Sequence, residues 1–83
     1  MIKVIEIKTP NCIKCKTIQP KLDALKAKYA NVQFIETLYP DDSLAEELFN
    51  KFRLRCAPSF IIDKDGGQEQ VEFAEIEGKI KHV

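Results

Sequence analysis

Cys12 and Cys15 are the residues with the plainest chemistry in the chain, two of its three cysteines, separated only by Ile13 and Lys14. A C-x-x-C pair can ligate a metal, staple a fold, or make and break its own disulfide, and the spacing does not choose among these. An odd cysteine count sits badly with a disulfide scaffold. A zinc site needs four ligands, and the chain offers Cys12, Cys15, Cys56 and His82 as one such set. Structural zinc sites usually bring a second close pair, which is missing here. An iron–sulfur cluster shared between two chains is the other metal reading.

The segments around the pair narrow the choice. Residues 2–8, IKVIEIK, read as a strand ended by Thr9-Pro10. Asn11 is a good helix N-cap just ahead of Cys12. Ile18, Leu22, Leu25 and Tyr29 then recur at helical steps and form one apolar stripe. Pro20 lies inside that helix and should kink it. The pair therefore opens a helix, where unpaired N–H groups and the positive end of the dipole favour thiolate over thiol. Such a cysteine can titrate at about 3.5–7.5 rather than about 8.5. Lys14 and Lys16 add positive charge. Cys12, at the very start, is expected to be the exposed attacking thiolate, and Cys15, one turn in, the buried resolving thiol.

Residues 32–37, VQFIET, read as a second strand. Ser43-x-x-Glu46 has capping-box spacing, and Leu44, Leu48, Phe49 and Phe52 mark a second amphipathic helix ending near Arg53. Residues 59–63 form a third strand, Asp65-Gly66-Gly67 a hairpin turn, and Val71 and Phe73 alternate in a fourth strand. Ile76, Ile80 and Val83 sit at helical steps, but Gly78 costs about 1 kcal/mol inside a helix, so the tail reads as a short closing helix or as extended chain. The order is β-α-β-α-β-β, an α/β domain whose long first crossover requires parallel strands.

Bulk properties exclude several functions. Eighty-three residues make one domain, spanning 1–83. Thirteen basic and thirteen acidic residues leave no net charge, which argues against a nucleic-acid or anionic-membrane partner held by a basic face. The N-terminal segment has no long apolar run, so a signal peptide is not expected. A cytoplasmic, monomeric protein is the expectation.

The run C-x-x-C-K-x-I-x-P-x-L-D with a later Tyr, formed by Cys12, Cys15, Lys16, Ile18, Pro20, Leu22, Asp23 and Tyr29, resembles the thioredoxin family. Leu48, Phe52, Leu54, Arg55, Pro58 and Phe60 resemble that family's stretch before its cis-proline. The resemblance implies a thioredoxin-like fold with a central mixed four-stranded sheet and a short or missing C-terminal helix. It also implies a Cys12–Cys15 disulfide, and a cis Ala57-Pro58 bond shaping a substrate groove. Glu6, six residues before Cys12, would be a buried acid that moves the proton of Cys15. The activity implied is thiol–disulfide exchange with protein disulfides, with a thiol reductase or small dithiol as electron donor and no cofactor. The family usually has Trp before the first cysteine and Gly-Pro between the pair. Here Asn11, Ile13 and Lys14 stand there, so no reduction potential carries over. Cys56, two residues before Pro58, is a third thiol near the pair, expected to stay free when Cys12 and Cys15 oxidise. The alternative is the same fold holding zinc or an iron–sulfur cluster, or serving as a docking module with an idle pair.

Overall fold

A computed structural model describes residues 2–55 and 57–81. The elements run β1 (Ile2–Lys8), α1 (Ile13–Lys28), β2 (Gln33–Leu38), α2 (Ser43–Lys51), β3 (Ser59–Lys64), β4 (Gly67–Val71) and α3 (Phe73–Ile80). The sheet order is β2-β1-β3-β4, with β1 parallel to β2 and antiparallel to β3, and β3 antiparallel to β4. This is the mixed four-stranded sheet expected, completed by a short closing helix.

β1 is covered on both faces, which explains its nearly continuous apolar character. On one face Ile2 and Val4 pack with Leu22 of α1, Phe60 and Ile62 of β3, and Ile76 and Ile80 of α3. The stripe Ile18, Leu25 and Tyr29 lies against this core. On the other face Ile5, Ile7 and Ile61 meet Ala45 and Leu48 of α2. The Asp65-Gly66 turn between β3 and β4 has φ +50° and +84°, the left-handed pair that a two-residue hairpin demands.

Three local expectations are corrected. Phe73 does not continue the fourth strand. It opens α3, capped by Glu72 and Glu75 in a reciprocal capping box, and its ring centroid lies 5.6 Å from that of Phe60. Ser43 and Glu46 form no capping box. Asp42 is the N-cap of α2, and its carboxylate instead accepts the Leu38 N–H at 2.8 Å. Asn11 is not the N-cap of α1; Cys12 is. A second cis bond, Tyr39-Pro40, was not expected from the sequence. No helix among the described residues is long and apolar enough to cross a membrane.

Candidate active site

The turn from β1 into α1 decides where the sulfurs stand. Asn11 takes a left-handed conformation, φ +59°, and so finishes the turn rather than capping the helix. Cys12 then occupies the extended cap position, φ −85° and ψ 109°. Its Sγ accepts the N–H of Cys15 at 3.1 Å, satisfying one of the unpaired donors of the first turn. That donor and the helix dipole would stabilise negative charge on the same sulfur once the pair is reduced. Cys12 and Cys15 form a disulfide with Cα atoms 5.2 Å apart. Cys12 is half-buried and Cys15 is 5% exposed, the order of accessibility read from the sequence.

Glu6 shares the α1 face of β1 with Ile2 and Val4, and stands opposite Glu36 in β2 and Phe60 in β3. It is 1% exposed, and neither carboxylate oxygen has a hydrogen-bond partner among the described residues. The Lys8 ammonium lies 4.0 Å from Glu6 Oε1, outside hydrogen-bond reach, and donates to Glu36 at 2.7 Å. Lys26 of α1 also pairs with Glu36. Burial pushes the Glu6 carboxyl from 4.5 to about 7, with Lys8 pulling against it. Glu36, hydrogen-bonded by Lys26 and Lys8, is held below the ordinary carboxylate range. Glu6 can thus gain or lose a proton near neutrality, as an acid–base group must.

Two grooves flank the pair on opposite sides of α1. One, of about 250 Å³, runs between Ile18 and the cis Ala57-Pro58 bond and is closed by Phe60 and Phe73. The other, of about 490 Å³, lies over the C-terminal ends of β1 and β2, and both sulfurs line it. Ile13, between the cysteines, is 79% exposed. Cys56 and His82 lie outside the described residues, so the third thiol and half of the candidate zinc set do too. Sequence reasoning missed Lys8, Lys26 and Glu36 as neighbours of Glu6. Their alternation with apolar residues was visible, but the strand register that gathers them was not. It also missed Phe73 as a groove wall.

A family model described as Thioredoxin matches residues 2–82. Thioredoxin H8 of Arabidopsis thaliana is 32% identical over 81 residues, which cover 93% of this chain and 53% of that protein. The thioredoxin NaTrxh from Nicotiana alata superposes with a TM-score of 0.76 at 27% identity, over 98% of this chain and 71% of that one. A chain from the complex of ferredoxin:thioredoxin reductase with thioredoxin f2 gives 0.78 at 26% identity, over 98% and 76%. The chain spans between 53% and 64% of the length of the curated relatives it matches.

Proposed function

The chain belongs to the thioredoxin family, and on that premise we propose that Cys12 and Cys15 exchange dithiol for disulfide with protein substrates. One observation carries the reading: the half-buried Cys12 sulfur caps α1 and accepts the Cys15 N–H while bonded to a buried Cys15. In the reduced protein the Cys12 thiolate attacks a substrate disulfide, forms a mixed disulfide and expels one substrate thiolate. The substrate strand lies along Ala57 and Pro58, beside the exposed Ile13. Glu6, ionised above about pH 7, takes the proton of Cys15. The Cys15 thiolate then attacks Cys12 Sγ, restores the Cys12–Cys15 bond and releases the second substrate thiol. A reductase regenerates the dithiol. The occurrence of a similar chain in a complex with ferredoxin:thioredoxin reductase supports that class of partner. A monomer in a reducing compartment such as the cytoplasm suits a pair that must be re-reduced after each turn.

Reduction of insulin disulfides by the reduced protein tests the reading. Cys12→Ser should abolish turnover, and Cys15→Ser should accumulate a mixed disulfide through Cys12. Turnover that survives Cys12→Ser, or trapping through Cys15 in the Cys12→Ser variant, would overturn the assignment. Iodoacetamide at mildly acidic pH should label Cys12 ahead of Cys15.

A further inference from the structure

The groove over the ends of β1 and β2 is not the one that holds Pro58. It lies across α1 from it, lined by Lys16 and Gln19 of the helix, Lys8 of β1 and Leu38 of β2. Both Cys12 and Cys15 line this groove, and neither lines the groove beside Pro58. Its volume, about 490 Å³, falls in the range of small-molecule sites, about 300–1,000 Å³. Two lysines and no carboxylate line it among the described residues. Lys8 is committed to Glu36 at 2.7 Å. The Lys16 ammonium makes no ion pair among the described residues, so it is the cation left to meet a ligand.

We propose that this groove binds a low-molecular-weight thiol bearing carboxylates, with Lys16 on a carboxylate and the ligand sulfur against Cys12, and that this thiol reduces the Cys12–Cys15 disulfide directly. The inference rests on the pair being redox-active and adds the class of a small reductant. The carboxylates follow from the charge of the groove, and the size from its volume. The chemistry closes with two equivalents of thiol. The first ligand thiolate attacks Cys12 Sγ, forms a ligand–Cys12 disulfide, and releases Cys15 as a thiolate that takes up a proton. A second ligand thiolate attacks the ligand sulfur of that mixed disulfide and leaves as the ligand disulfide, releasing the Cys12 thiolate. Two thiols are oxidised and one protein disulfide is reduced. Cys12 is the sulfur attacked because Cys15 is 5% exposed.

The test is the rate of reduction of the oxidised full chain at low ionic strength by mercaptosuccinate and by uncharged 2-mercaptoethanol. Mercaptosuccinate should give a rate that saturates with concentration, and 2-mercaptoethanol a linear one. Lys16→Glu should abolish saturation and lower the ratio of the mercaptosuccinate rate to the 2-mercaptoethanol rate about fivefold, over and above the common slowing that the lost positive charge beside the sulfurs brings to both reagents. Lys21→Glu, the same change of net charge further along α1, should leave both rates within about twofold. Linear kinetics with mercaptosuccinate, or an equal loss in both variants, overturns the site, since a diffuse field then explains the effect. Loss in Lys16→Glu confined to protein disulfides overturns it too, in favour of an acidic substrate loop. Dithiothreitol separates the two levels of the reading. A disulfide it reduces normally while mercaptosuccinate fails to saturate sinks only the groove, whereas one it cannot reduce at all sinks the redox role as well.

Discussion

Glu6→Gln keeps the shape of the side chain and removes its charge. In the native chain burial moves the carboxyl from 4.5 to about 7; in the unfolded chain it returns to its ordinary value. Between those two pH values the native state holds a proton that the unfolded state has released, so this group makes stability fall as pH rises. Below 4.5 both states carry a neutral carboxyl and the contribution vanishes; above about 7 both are ionised and the cost is constant. The interval from 4.5 to about 7, at about 1.4 kcal/mol per pH unit, makes the ionised side chain cost about 3 kcal/mol. The variant should therefore match the parent near pH 4 and exceed it by about 3 kcal/mol at pH 8, on the order of 15 °C in Tm for a domain of this size. The missing hydrogen bonds largely cancel in the comparison, because the protonated acid and the amide occupy the same buried place beside Lys8. Glu36 and Glu77, both held below the ordinary range by lysine hydrogen bonds, lose stability on acidification. They do so in both proteins and largely cancel in the difference. Urea unfolding of the oxidised proteins at pH 4, 6 and 8 measures it. A gap that does not change with pH, or a variant weaker than the parent at pH 8, refutes the reasoning. The same variant should resolve mixed disulfides more slowly, with a rate that no longer rises through pH 7. A chain made both more stable and less active is the signature of a residue kept for its proton.

Lys8→Met removes the nearest cation from Glu6 and should raise its midpoint further, seen as an upward shift of the carboxyl titration by NMR; an unmoved midpoint contradicts the Lys8 contribution. Leu22→Ala empties a 1% exposed site between α1 and the sheet and should cost about 2–5 kcal/mol in urea unfolding.

What the sequence made legible follows periodicity. Ile18, Leu22, Leu25 and Tyr29 could form one stripe only on a helix, and Asp65-Gly66 could hardly be anything but a tight hairpin turn. The misses fall where two local rules agree with the same residue. Phe73 is two residues after Val71, as a strand face requires, and three before Ile76, as a helix stripe requires. Long-range packing beside Phe60 chose the helix. Asn11 is the cap by residue type, but Asn also tolerates the left-handed region, and that backbone φ moved the cap one residue on, to the Cys12 sulfur. The surroundings of Glu6 were beyond local reading altogether. They depend on the parallel register that sets Glu6 opposite Glu36, across a crossover that includes all of α1.

Glu6 is also where local pattern and global fold disagree. On the α1 face of β1 the alternation runs Ile2, Val4, Glu6, Lys8, and the third place is as deeply buried as its apolar neighbours. An apolar side chain there would remove a cost of about 3 kcal/mol at neutral pH, a large share of the stability of a small domain. The neighbouring charges do not cancel that cost. Lys8 stands 4.0 Å away and turns its hydrogen bond to Glu36 instead. A closer Lys8 would stabilise the ionised carboxylate and drag its midpoint down toward the usual range, where it would be a poor base for a thiol near pH 7. Holding Lys8 on Glu36 leaves Glu6 buried, at the edge of ion-pair distance from Lys8, without a hydrogen bond among the described residues, and poised near neutrality. That arrangement is costly for a fold and useful to a proton transfer.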